Sequence, residues 1–227
     1  MRSFLRLEHL FNIIDHHRPQ DSQWDSRITI SCLLEILDLI TRSDLKNDLI
    51  KELEKHTITL DVLKNNPNVD HQRLNDILSN INDYLHTLRD SEFQPGQSLK
   101  NDELITSIKQ RISIPGGTCN FDLPAFHHWL HKPAQFRHDD LDSWKQDLLV
   151  IQESLTIALF MLRNSTTAVI ENAESGFYQQ PIESKLLCQL IRVFLPEDCS
   201  YFPEISGGKH RFTIRFMEQS STSARPV

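Results

Sequence analysis

Apolar residues recur along most of this chain at spacings of three and four, the period of an amphipathic helix. Leu7, Leu10, Phe11 and Ile14 form one such face and predict a helix over 2–16, ended by Pro19 and Asp21-Ser22. Leu33, Ile36, Leu37 and Ile40 predict a second over 28–41, with a face broad enough for a central position. A third, over 44–64, carries Leu45, Leu49, Leu53, Leu60 and Leu63 and stops at Asn65-Asn66-Pro67. Leu74, Ile77, Leu78, Ile81, Leu85 and Leu88 make a continuous stripe over 70–89, with Asp70 placed as N-cap. Residues 91–98 read as a turn. Helix resumes over 100–112 with Leu104, Ile105 and Ile108, and IPGGT then breaks it. Asp122 is positioned to cap a short helix through LPAFHHWLH, with Pro124 in the first turn and Pro133 as the stop. Leu141, Trp144, Leu148, Ile151, Leu155 and Leu159 predict a last long helix over 139–163.

The pattern changes after residue 164. Asn164 to Ser175 is polar loop, and Gly176-Phe177-Tyr178 opens an extended stretch. KLLCQLIRVF, residues 185–194, reads as a strand or a short helix, and a turn follows around Pro196. KHRFTIRFM, residues 209–217, alternates with period two. His210, Phe212, Ile214 and Phe216 fall on one face, with Arg211, Thr213 and Arg215 on the other. The closing EQSSTSARPV has the composition of a disordered tail. Helices followed by strands predict an α+β fold. It comprises a mainly α-helical bundle domain over 1–163, a small antiparallel β domain over 164–217, and a tail over 218–227.

Composition narrows the function. The 227 residues are 39% hydrophobic and 24% charged, an ordinary globular balance. No apolar run approaches the ~20 residues of a membrane span. The N-terminus, with Arg2, Arg6 and Glu8 among its apolar residues, lacks the form of a signal peptide. The formal charge of −7 argues against a general nucleic-acid or membrane binder, so an anion site must be a local basic patch. Cys32, Cys119, Cys188 and Cys199 are scattered without a C-x-x-C pair, as expected of reduced cytosolic thiols.

ISGGKHRFTIRF is that local patch. Between Glu204 and Glu218 the only charged residues are Lys209, Arg211 and Arg215. On one strand the two arginines share a face about 13 Å apart, a spacing at which two forked guanidiniums can grip an extended acidic peptide. A solvated polar face is the commoner origin of such a run. Arg2 and Arg6, four apart, share a helix face offset from the apolar stripe, where a solvated face is again the plainer reading. His127 and His131 have the four-residue spacing of metal ligands, with Cys119 nearby. No H-E-x-x-H follows and no carboxylate ligand is evident, so a histidine packed beside Trp129 is the plainer reading. No phosphate-loop, dinucleotide or catalytic motif is present, and no cofactor is called for.

Three segments together carry a resemblance. QRISIPGGTCNFDLPAFHHWLHKP (residues 110–133), YFPEISGGKHRFTIRFM (residues 201–217) and the opening MRSFLRLEHL resemble, in order and spacing, the signatures of the ZapD family of bacterial cell-division proteins. The resemblance runs from Met1 to about Met217. It implies a helical bundle and a β domain, a homodimer, and a non-enzymatic adaptor that cross-links filaments of FtsZ. It implies a basic pocket for the FtsZ C-terminal tail. By position the implicated residues are Arg2 and Arg6 on the first helix, His127 in the LP-x-x-H motif, and Arg211 and Arg215 on the strand. Lys209 is placed at the rim, and an apolar residue of the tail is expected to pack against Phe212 or a nearby core edge. Cytoplasmic localisation at the division septum follows, with neither nucleic acid nor membrane as partner. A further basic position of some relatives falls at Glu103 here, so its role does not transfer. Relatives carry about a dozen residues before the first motif, including a strand, so one strand fewer is expected in the sheet. The alternative reading is a metal-dependent enzyme using Cys119, His127 and His131, and a nucleic-acid module using the basic strand is a third.

Overall fold

The computed structural model describes residues 1–42, 44–67, 69–183, 188–219 and 224–226. The chain divides into two compact units, residues 2–161, and 162–227 together with Met1. The fold is α+β as expected: helices precede a small antiparallel sheet.

The first unit opens with α1 (Arg2–His17) and α2 (Gln23–Arg42), which pack on each other. Phe4, Leu7, Leu10, Phe11 and Ile14 bury the inner face of α1, each worth about 1.5–3 kcal/mol on leaving water. α2 begins a full turn before its apolar pattern does. Ser22 caps it by accepting the Trp24 N–H at 3.1 Å. The buried positions of that early part are Ser26 and Thr29, whose polarity hides it from a hydrophobic count. They are matched by Arg137, a buried guanidinium without a carboxylate partner among the described residues. It donates to Ser26 Oγ, to the Asp21 and Ser22 carbonyls and to the Lys132 carbonyl.

α3 (Leu45–Leu63) and α4 (His71–Arg89) form an antiparallel neighbour pair. Asp70 caps α4 as expected, accepting the Arg73 N–H at 3.1 Å. The helix expected over 100–112 is instead α5 (Gln97–Asn101) and α6 (Glu103–Arg111). Asp102 leaves the helical conformation between them and accepts the Ile105 N–H at 2.9 Å, so a capping residue sits inside the periodic stretch. α7 (Pro124–Leu130) starts at Pro124 as expected, but Asp122 does not cap it. The Asp122 carboxylate faces Cys119 Sγ at 3.6 Å, and Leu123 occupies the cap position. The helix expected over 139–163 is α8 (Ala134–Gln146) and α9 (Leu149–Arg163). Asp147 ends α8 and accepts the Ser98 N–H at 2.6 Å, while Leu148 stays buried and keeps the apolar stripe in phase across the break. The indoles of Trp129 and Trp144 lie 5.5 Å apart, and donate to Asp140 at 2.7 Å and Asp102 at 3.1 Å. Among the described residues no helix is long and apolar enough to cross a membrane.

The second unit holds β1 (Phe177–Pro181), β2 (Tyr201–Gly207), β3 (Arg211–Gln219) and β4 (Ala224–Pro226), all antiparallel to their partners. β3 is the middle strand. β2 runs along 212–218 on one side. A strand has two edges, so β1 along 211–215 and β4 along 217–219 share the other. β2 was missed because Pro203 and Gly207 punctuate it, and proline is tolerated on an outer strand. The strand expected at 185–194 is not found over 188–194, which form no regular element, and 185–187 lie outside the described residues. There Arg192 turns back to stack 5.0 Å over Phe194 and to reach the Arg163 carbonyl. Nor is 218–227 wholly an irregular tail. Glu218 and Gln219 continue β3, and 224–226 fill the edge of β3 that β1 leaves open.

Candidate functional site

Side chains alternate along β3, so Arg211, Thr213, Arg215 and Met217 share one face, and Phe212, Ile214 and Phe216 the other. Directly paired residues on neighbouring strands lie on the same face. The register therefore places Pro181, Gln179 and Phe177 of β1 beside Arg211, Thr213 and Arg215. On the far side it places Ser206, Glu204 and Phe202 beside Thr213, Arg215 and Met217. Arg211 and Arg215 are exposed, Phe177 is 44% and Phe202 38% exposed, and Met217 closes the far end of this face at 8%. Phe212, expected to receive an apolar ligand residue beside the arginines, lies on the opposite face of the strand. There it meets Tyr178 at 6.1 Å between rings. The aromatic residues that do share the arginine face are Phe177 and Phe202.

Arg215 has a carboxylate neighbour in register, Glu204, whereas Arg211 is paired with Pro181. Lys209 sits exposed in the turn leading into β3, where the Gly208 N–H donates to the Arg211 carbonyl at 2.9 Å. In the helical unit Arg2 and Arg6 are exposed on α1, away from its buried face. His127 is exposed on α7. Among the described residues no carboxylate is ion-paired to Arg2, Arg6, Lys209, Arg211 or Arg215. The ion pairs fall on other cations, such as Arg89 with Glu54 and Lys145 with Asp15. The six residues expected at one site thus form two sets, Arg2, Arg6 and His127 in the helical unit and Lys209, Arg211 and Arg215 in the β unit.

Cys119, His127 and His131 do not assemble as ligands. The rings of His127 and His131 approach to 4.2 Å, but His131 Nδ1 is engaged by the His127 carbonyl at 2.8 Å, and Cys119 faces Asp122. Among the described residues no group of three or more His, Cys, Asp or Glu side chains could hold a metal ion.

Sequence reasoning missed one further cluster. The Arg27 guanidinium lies 4.7 Å over Phe126 and 5.7 Å over Trp24, and donates to the Thr118 carbonyl at 3.4 Å. Burial lowers its pKa from the ordinary guanidinium value, and the Cys119 thiol opposes that shift. This cluster ties the IPGGTC loop to α2. Trp24 remains 74% exposed beside it, on the early part of α2 that the apolar pattern does not reach.

The profile described as ZapD, cell division protein, matches residues 5–215. Among curated proteins, the cell division protein ZapD of Methylococcus capsulatus is 37% identical over 227 residues, covering 100% of this chain and 89% of the relative. The proteins of that name from Nitrosomonas eutropha and Nitrosomonas europaea are 40% and 39% identical over 217 residues. Each alignment covers 96% of this chain, with 86% and 82% of the respective relatives.

Proposed function

Because this chain belongs to the ZapD family of cell division proteins, we propose that it is a non-enzymatic adaptor that binds the C-terminal tail of FtsZ and bundles FtsZ filaments at the division septum. One observation carries the reading for this chain. Arg211 and Arg215 stand exposed on one face of a middle strand, without an ion pair to any described carboxylate. Guanidiniums so held are preorganised donors for carboxylates of an extended acidic peptide.

In this mechanism the tail lies across the β3 face. Its carboxylates pair with Arg211 and Arg215, and Lys209 adds charge at the rim. Arg2, Arg6 and His127 are further candidate tail contacts, within the helical unit. A single flexible peptide loses ordering entropy when it binds, so each contact is weak. A homodimer carries two such faces, and repeated tails along a filament convert weak contacts into avidity. The product is a lateral bundle formed without chemical reaction, in the cytoplasm at midcell.

The test is binding of a fluorescent FtsZ tail peptide to the full chain and to the Arg211→Ala/Arg215→Ala variant, with circular dichroism as the fold control. Binding is expected to fall at least about tenfold in the variant, since two charge-assisted contacts are removed. It is also expected to weaken in the unaltered protein as salt rises. Equal binding by both proteins, or binding indifferent to salt, rules the arginine face out.

A further inference from the structure

The arginine face of β3 is not purely polar. Phe177 stands directly beside Arg215 on β1, and Phe202 stands diagonal to it on β2, opposite Met217. Direct cross-strand neighbours have Cβ atoms about 4.5–5.5 Å apart and diagonal ones about 7–8 Å. Two partly exposed aromatic rings therefore flank one guanidinium on the same surface. An aromatic ring left 38–44% exposed on a strand still has apolar area to bury when a ligand covers it.

Charge decides what kind of ligand fits. Arg211, Arg215 and Lys209 make the surface cationic, with Glu204 as its one carboxylate neighbour in register. A basic or purely apolar partner leaves those guanidiniums unpaired and desolvated, which is costly. A purely acidic partner leaves the rings in water. We infer that Phe177 and Phe202 are the apolar anchors of this face, and that they select an acidic peptide with aliphatic or aromatic residues between its carboxylates over an acidic peptide without them. This deepens the proposal that the β3 face is the tail site, and rests on it.

The experiment separates the two. The full chain and its Phe177→Ser and Phe202→Ser variants are titrated with the labelled FtsZ tail peptide across a salt series. They are also titrated with two synthetic peptides of equal negative charge, one with leucines between its glutamates and one with serines in their place. Each Phe→Ser change is expected to weaken the tail and the leucine peptide by about fivefold, from lost apolar contact, while leaving the salt slope unchanged. The serine peptide should bind all proteins alike and more weakly. Phe177→Leu and Phe202→Leu are expected to restore most of the affinity. If the Phe→Ser variants bind the tail as the unaltered protein does while Arg211→Ala/Arg215→Ala loses it, the arginine face stands and the aromatic anchors fall. If the unaltered protein does not distinguish the leucine peptide from the serine peptide, the anchors fall whatever the variants do. If it binds no tail at all, both proposals fall.

Discussion

Arg211 and Arg215 are alike in sequence and differ in setting. Arg215 shares its rung with Glu204, while the neighbour of Arg211 is Pro181. A directly opposed carboxylate competes with an incoming one and is worth about 0.2–1 kcal/mol across strands. Glu204→Gln is therefore expected to tighten binding of the acidic tail peptide by about 1.4- to 5-fold, read by the same titration, and to do nothing in the Arg215→Ala background. His56 offers a second residue-scale consequence. It is buried on α3 with Nε2 3.7 Å from Glu52 Oε1 and lacking a hydrogen bond among the described residues. Burial lowers its pKa below the ordinary histidine value, outweighing the opposing pull of Glu52. A depressed histidine gives stability that is complete above the unfolded pKa. That stability is lost as pH falls from about 6.5 toward the folded value, because the unfolded chain takes up the proton first. The urea midpoint should drop over that window, and His56→Gln should flatten the drop.

At the scale of elements, two N-caps allow a direct comparison. Asp70 serves one N–H, that of Arg73, and Asp70→Ala is expected to cost about 1 kcal/mol. Asp102 caps α6 and also accepts the indole of the buried Trp144, so Asp102→Ala is expected to cost about twice as much in urea unfolding. The same residue shows where the sequence was readable. Asp70 was legible because it precedes an apolar stripe. Asp102 lies inside one, and the 100–112 periodicity runs through the break. Asp147 hides in the same way between α8 and α9, since Leu148 keeps the stripe in phase. The start of α2 escaped for the opposite reason, its buried face being Ser26 and Thr29 under Arg137. β3 could be read from alternation alone. The opening of β1 was legible as the extended stretch at Gly176-Phe177-Tyr178, but β2 was not, because Pro203 interrupts it, and cross-strand register depends on residues far apart in the chain. So the arginines of the candidate face were visible beforehand, whereas the placement of Phe177, Phe202 and Glu204 beside them was not.

For the whole molecule, bundling requires two binding faces in one particle. Sedimentation at micromolar concentration is expected to give a stable dimer, and a monomer would remove the cross-linking mechanism. The division of the chain at residue 162 has a further consequence, in the kinetics of encounter. Residues 162–227 contain seven Lys and Arg and seven Asp and Glu, so the entire formal charge of −7 belongs to residues 1–161. At physiological salt the Debye length is about 8 Å, so this net negative charge is largely screened at longer range, and an acidic chain meets the guanidiniums of β3 only close to the surface. Capture is then a short-range event, without long-range steering to accelerate it. In the proposed adaptor, added salt loosens the captured state, so ionic strength is expected to govern how long a tail stays more than how often it arrives.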